Sequence, residues 1–268
     1  MNINISDPYN LMTTLLLALI LQFLFFIFAA IMKTDKLTDF SYGVSFIILV
    51  IYLLLKHPNP SLSQILIAIC VIIWGIRLVS YLFIRILKIK KDTRFDGVRE
   101  NFKKFLQFWI LQGLSIWIIM IPTSIFISLS VESENYYLNI NNLLGILLFT
   151  IGIIIESVAD YQKYVFKNEL KNKGKWIKTG LWKYSRHPNY FGEIIIWWGV
   201  FIYTINLLSG LTYLGVIGPL YITFLLIFVS GIPPLEKRYN NIYKDNLEYQ
   251  RYKKTTSILI PLPQKSIT

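Results

Sequence analysis

Long apolar runs, each about the length of a membrane crossing, alternate with short polar stretches along this chain. Only a helix satisfies its own backbone hydrogen bonds in lipid, and a hydrocarbon core about 30 Å thick needs about 20 apolar residues. The runs therefore predict seven transmembrane helices, at approximately residues 11–32, 40–55, 62–87, 105–129, 142–159, 191–208 and 211–230. The second is short, and only Ser209-Gly210 separates the sixth from the seventh. Pro233-Pro234 cannot continue a helix and is expected to end the seventh span. The expected fold is all-α: a polytopic transmembrane helix bundle forming a single domain over 1–268, with no internal repeat or low-complexity tract.

Composition supports this class. Hydrophobic residues make up 54% and charged residues 16%, where a globular domain carries about 25% charged residues. Eighteen Phe, 17 Tyr and 7 Trp exclude an unfolded chain. A single cysteine, Cys70, excludes a disulfide framework and a cysteine-based metal cluster. Two histidines, His57 and His187, leave no His-rich metal site, so no metal is expected.

Charge decides the topology. The net charge is +12, yet the basic residues fall between apolar runs and not over one water-exposed face. Nucleic acid is therefore not an expected partner; anionic lipid headgroups and a phosphorylated cofactor are. In a seven-span arrangement 25 of the 27 basic residues lie on one side, the exceptions being Lys56 and Arg77. Lys and Arg collect on the cytoplasmic side, so the N-terminus is expected outside and the C-terminus in the cytoplasm. The first run is too long for a cleavable signal and no Lys or Arg precedes it, so it is expected to stay as a span. The host would be a plasma membrane in a bacterium or the endoplasmic reticulum in a eukaryote. After the last span Tyr239, Tyr243, Glu248, Tyr249 and Tyr252 mix aromatic and charged groups, which predicts a tail docked on the protein or on the membrane surface.

Polar groups at membrane depth are costly and are the first candidates for chemistry. Arg77 shares a helical face with Trp74, Tyr81 and Arg85. This stripe either lines a cavity that reaches for a phosphate or carboxylate, or pairs Arg77 with another helix. Glu156 and Asp160 are four apart, with Lys163 and Lys167 further along the same face. Carboxylates inside and lysines beyond suit a ligand with a polar head and trailing phosphates; the lysines alone would also fit a solvated charge ladder. The densest constellation runs from Gly180 to Glu193. Pro188 fits the first turn of span six, Ser185 to His187 form a lead-in turn, and Asn189, Glu193 and Trp197 repeat down one face. Arg186 and His187 then sit at a helix N-terminus, where backbone N–H groups favour an anion.

Residues 180–198 resemble the C-terminal signature of the steroid 5-alpha-reductase superfamily, and more closely its uncharacterised branch of small membrane proteins of unknown function. The resemblance takes in Trp74-Gly-Ile-Arg77, Asp92-Thr-Arg94-Phe95, the Glu156 to Lys163 stripe, and Pro234-Leu-Glu-Lys-Arg238 through Tyr249 and Pro261. It implies a helical membrane bundle with a cofactor held by the C-terminal half, about 156–262. In the reductases this is NADPH, and Asp160, Lys167, Tyr184, Asn189, Glu193 and Tyr239 match positions that contact it. Arg186-His-Pro-Asn-Tyr190 with Gly192, and the Pro234…Glu236 pattern, are also similar to isoprenylcysteine carboxyl methyltransferases, which use S-adenosylmethionine. One departure stands out: steroid reductases polarise the enone with a glutamate in an early helix, and span two has none. Asp39 with Tyr42 are the nearby substitutes.

Three functions follow as expectations. The first is an NADPH-dependent reductase of a carbon–carbon double bond in a lipid, steroid-like or isoprenoid substrate. In it Arg77, Glu156, Asn189 and Glu193 join the cofactor site, Lys163, Lys167, Arg186 and Arg94 neutralise phosphates, and Tyr42, Tyr190 or His187 supplies a proton. The second is an S-adenosylmethionine-dependent methyltransferase, whose sulfonium suits Glu193, Tyr190 and Trp197. The third is a lipid-binding membrane protein without enzymatic activity; a transporter would need matching broken helices, and none is visible.

Overall fold

The computed structural model describes residues 7–88, 97–129 and 138–266. It is helical, and among the described residues no β-strand occurs, only an isolated bridge between Ser185 and Ser257. The main helices are α1 (Leu11–Ile31), α2 (Leu37–Lys56), α3 (Leu62–Lys88), α4 (Phe102–Ser128), α5 (Ile140–Asn168), α6 (Pro188–Thr204), α7 (Ile217–Phe224), α8 (Ile232–Ile242) and α9 (Leu247–Thr255). Seven helical stretches among the described residues are long and apolar enough to cross a membrane, which makes this a multi-pass membrane protein. All seven coincide with the runs read from the sequence. The fifth helix continues well past its apolar part to Asn168, carrying the whole Glu156–Lys167 stripe on one rod.

The chain divides into two compact units, residues Met1–Gly145 with Val200–Gly218, and Ile146–Gly199 with Pro219–Thr268. In the first unit α1 packs on α4 and α2 on α3. Asp7 starts α1 by accepting from the backbone N–H of Met12 and Thr13 (3.1 and 2.8 Å), which satisfies donors that a helix start leaves open. Gln22 of α1, Ser41 and Ser45 of α2 and Gln112 of α4 form a buried hydrogen-bonded knot. Gln64 of α3 holds the end of α4, its Nε2 donating to the carbonyls of Phe126, Ile127 and Leu129. Amide and hydroxyl bonds of this kind join helices where lipid supplies no hydrophobic drive.

The second unit turns on a close helix crossing. A Cβ built on Gly152 would stand 2.7 Å from the Gly192 carbonyl oxygen, and one on Gly192 would stand 2.8 Å from the Glu156 amide nitrogen. Backbone meets backbone there, so neither position accepts a side chain. Further on, α7 gives way to a wider π-type turn over Leu225–Val229. At Gly231 a Cβ would lie 2.5 Å from the Leu226 carbonyl oxygen, so only glycine fits the break. This break, not Pro233-Pro234, ends the regular span. The prolines instead open α8, where the backbone donors they lack would have no helical partner.

Candidate functional site

The Gly180–Glu193 segment is built into the second unit from two directions. On one side it is fastened to α5. The Leu181 amide donates to Gln162 Oε1 (2.9 Å) and Trp182 Nε1 to the Ala159 carbonyl (3.0 Å). Gly180, at φ +60°, lies where any Cβ would strike the Gln162 amide. On the other side the C-terminal strand of chain straps it down. Tyr252 Oη donates to the Trp182 carbonyl (2.7 Å), the Arg186 amide to Ser257 O (2.8 Å), Ser185 Oγ to Leu259 O (2.7 Å) and the Leu262 amide to Tyr184 O (3.1 Å). The expected docking of the tail is thus onto the protein itself, through Trp176, Tyr243, Tyr249 and Tyr252 packed edge to face or tilted.

At the mouth of α6 the structure assembles a charged cluster. Glu236, in the first turns of α8, takes a hydrogen bond at Oε1 from His187 Nε2 (3.0 Å) and pairs at Oε2 with the Arg186 guanidinium. His187 is 1% exposed in side chain and main chain together, or nearly sealed, and stacks on Tyr190 with the rings 5.6 Å apart and 6° from parallel. Burial pushes its pKa below the ordinary value, against the pull of Glu236, so His187 is held as a neutral imidazole. Its Nδ1 and the Arg186 Nε are buried and make no hydrogen bond among the described residues.

The carboxylates read from the sequence are sealed in as well. Glu156 is 3% and Asp160 6% exposed. The Gly152–Gly192 crossing sets the Glu156 turn of α5 against the first turns of α6, which carry Asn189 and half-buried Glu193. One turn beyond Asp160, Lys163 lies over the Trp182 ring at 4.6 Å, while Lys167 is exposed. Tyr184 is largely exposed on the strapped turn, and Tyr239 is half-buried on α8 near Glu236.

Other expected site residues belong to the first unit. Tyr42 packs edge-on against Phe46 and Trp74, one helical turn from Arg77, whose guanidinium lies over Tyr81 at 5.9 Å. Asp39 is half-buried in the first turn of α2. Arg94 and the Asp92–Phe95 motif lie outside the described residues, as does the Arg85 side chain. Among the described residues no group of three or more His, Cys, Asp or Glu could hold a metal ion.

Four contributors escape a reading of the sequence as a site: Glu236, Trp182, Gln162 and Ser185. Glu236 belongs to the Pro234–Arg238 motif, but beside Lys237 and Arg238 it looks like an ordinary solvated charge. Its role depends on a contact 50 residues away in sequence.

A stretch of 46 residues is 41% identical to a protein of Ustilaginoidea virens named Probable O-methyltransferase ustE, covering 17% of this chain and 16% of that protein. The chain thus matches only a small part of that relative's length. No solved structure matches. The family described as Protein of unknown function (DUF1295) matches residues 25–256, nearly the whole of both units, and the chain therefore belongs to this family, which is related to the steroid 5-alpha-reductase superfamily.

Proposed function

We propose that this protein is a membrane-embedded NADPH-dependent reductase acting on a carbon–carbon double bond of a lipid, steroid-like or isoprenoid substrate. The observation that carries it is the gradient along α5: Glu156 and Asp160 buried, Lys163 half-buried and Lys167 exposed, in that order along one helix. A ligand lying along such a helix meets hydrogen-bond acceptors at its inner end and cations at its outer end. That polarity fits a nicotinamide ribose inside and phosphates outside. The neutral His187 and the Arg186 Nε add buried groups with hydrogen-bonding capacity at the adjoining α6 mouth.

When bound, NADPH supplies hydride to one carbon of the double bond. The residues of this chain do the rest. Glu156, Asp160, Asn189 and Glu193 orient the ribose and carboxamide, Lys163 and Lys167 face the phosphates, and Tyr239 and Tyr184 flank the site. The second carbon needs a proton. A neutral imidazole whose Nε2–H is given to Glu236 has only a lone pair at Nδ1, so His187 is a poor first donor and the hydroxyl of Tyr190, stacked on it, is the better one. In the first unit, Asp39 and Tyr42 are assigned to the substrate only by resemblance, and Arg77 to the cofactor by its place at membrane depth on one face with Trp74 and Tyr81.

A second reading has its own support. Arg186, expected to face phosphate, is engaged by Glu236, and part of the chain is similar to a protein named as a probable O-methyltransferase. An S-adenosylmethionine-dependent methyltransferase would use Glu193, Tyr190 and Trp197 around the sulfonium. Thermal unfolding of the purified protein with NADPH, NADH or S-adenosylmethionine separates these readings. A ligand at 100 times its Kd stabilises by about 2.7 kcal/mol. Protection by NADPH that is lost in D160N supports the reductase; protection by S-adenosylmethionine alone supports the methyltransferase; none from either leaves a lipid-binding protein.

A further inference from the structure

Between α8 and α9 runs a groove of about 420 Å³ whose walls carry Lys244, Lys253 and Lys254 together with Asn240, Tyr243 and Tyr249. No carboxylate is among its lining residues. Of the three acids in the α8–α9 stretch, Glu236 acts on Lys253 but is engaged by Arg186 and His187, Glu248 is paired with Lys178, and Asp245 is exposed in the connecting turn. The groove is braced. Lys253 Nζ donates to Asn240 Oδ1 (2.8 Å), which fixes one ammonium between the two helices, and Gln250 Nε2 ties α9 to the Lys244 carbonyl (2.7 Å). Trp176 packs edge-on against both tyrosines at 5.0 and 5.1 Å, making a firm floor. Burial raises the pKa of both tyrosines, Tyr249 to about 12, so their hydroxyls stay protonated.

Two further features point to the kind of ligand. The seventh apolar stretch, Gly210–Ile242, has its regular helix broken at Gly231 and finishes in the groove's own wall, between Asn240 and Tyr243, which puts the groove at the polar end of a candidate span. Beside it, Ile242 and Leu247 hold their side chains out, 56% and 80% exposed. Three ammonium groups, faced only by Glu236, which Arg186 already pairs, and by exposed Asp245, attract a phosphate, and exposed aliphatic side chains next to them suit the boundary between head groups and acyl chains. A free phosphate would use the cations and leave the aliphatic pair without a purpose.

We propose that this groove binds the phosphate of an anionic phospholipid head group, with Ile242 and Leu247 reaching the acyl region beside it. The assignment is independent of the cofactor, and it makes the α8–α9 pair a lipid-anchored brace for the strapped turn of the site.

Native mass spectrometry of the full-length protein in detergent, titrated with phosphatidylglycerol or phosphatidylcholine, tests it. Phosphatidylglycerol is expected to be retained in preference to phosphatidylcholine. K244Q/K253Q/K254Q should weaken that retention by about tenfold or more, and K244Q/K254Q, which changes only exposed side chains, by less but in the same direction. K171Q/K173Q/K175Q removes the same charge from another loop of the unit and should leave retention unchanged. Equal losses from the two triple variants, or equal retention of the two lipids, would overturn the proposal. So would inorganic phosphate displacing the lipid at equal concentration, since that would mark a site for free anions.

Discussion

The two units solve the same problem with the same materials in different proportions. Each must join helices in a medium where apolar side chains gain little by leaving lipid for protein. The first relies mainly on neutral groups: Gln22, Ser41, Ser45 and Gln112 satisfy one another and Gln64 caps α4, while its buried acid Asp35 is matched by Arg99 at 3.0 Å. The second buries ions, with Glu156 and Asp160 on α5 and Glu236 clasped by Arg186 and His187. Neutral networks of this kind are redundant, because each amide has several partners. Buried ions carry a large desolvation cost, which exceeds what holding helices together requires. The first unit carries that cost at the Arg99–Asp35 pair, whereas the second gathers Glu156, Asp160 and Glu236 around the start of α6, and this concentration of acids is the physical ground for placing the chemistry there.

The sharpest way to break this contrast is E236Q. It leaves the Arg186 guanidinium, 11% exposed in its side chain, without a counter-charge, and should lower stability by about 3 kcal/mol, read from chemical or thermal unfolding. The double variant R186Q/E236Q should recover much of the loss; if it does not, the pair is not what holds the α6 mouth to α8. Next in size is G192A. The added methyl meets backbone atoms of Gly152 and Glu156 that cannot move independently, so a loss of about 2 kcal/mol is expected, together with any cofactor protection. The matching change in the first unit, G113A, meets the flexible side chains of Leu19 and Gln22 and should cost less than about 1 kcal/mol. Equal effects at the two glycines would remove the distinction between a backbone crossing and ordinary side-chain packing.

Smaller still is Q22L. Its loss removes one bond each from Ser45 and Gln112 and two long ones from Ser41, but Ser41 Oγ still donates to the Thr38 carbonyl, and Gln112 Nε2 still donates to that carbonyl at 2.9 Å and to Ser41 Oγ at 3.1 Å. A change of about 0.6 kcal/mol is expected in the membrane-embedded protein. The least effect belongs to acid. His187 is held neutral with its pKa below the ordinary 6.5. Between those two values the unfolded chain takes up a proton that the folded one refuses, so stability falls as pH drops through that window and does not change on this account above it. Unfolding midpoints of H187Q should fall less steeply below about pH 6.5 than those of the parent. An unchanged slope would mean that His187 is not held neutral.

Much of the frame was legible beforehand, for reasons that differ between elements. The seven spans were readable because lipid imposes a length and an apolar composition on any helix that crosses it. The Glu156–Lys167 stripe was readable because helical periodicity alone puts those residues on one face. The seventh helix stops at residue 229, as the apolar run to 230 predicts, but the proline pair is not the cause: Gly231 breaks it first, through a contact with its own preceding turn that no local propensity reveals. Glu236 was legible as part of a motif but not as the hub of the α6 mouth, since its partners lie 49 and 50 residues earlier. Nor does the sequence show that Gly152 and Gly192 oppose each other. Both are single glycines in apolar helices, and only the packing says that they meet.

The strap formed by residues 257–262 sets an order of events during synthesis. Tyr184, Ser185 and Arg186 rely on chain that emerges from the ribosome some 70 residues after them. Until that stretch has been made, the turn leading into α6 lacks the three hydrogen bonds to Ser257, Leu259 and Leu262, however well the upstream helices have inserted. Maturation of this corner is therefore a late, post-insertion event. Any fusion that disturbs Ser257–Leu262 would yield a protein that sits in the bilayer with its spans intact while its most chemically equipped turn stays loose.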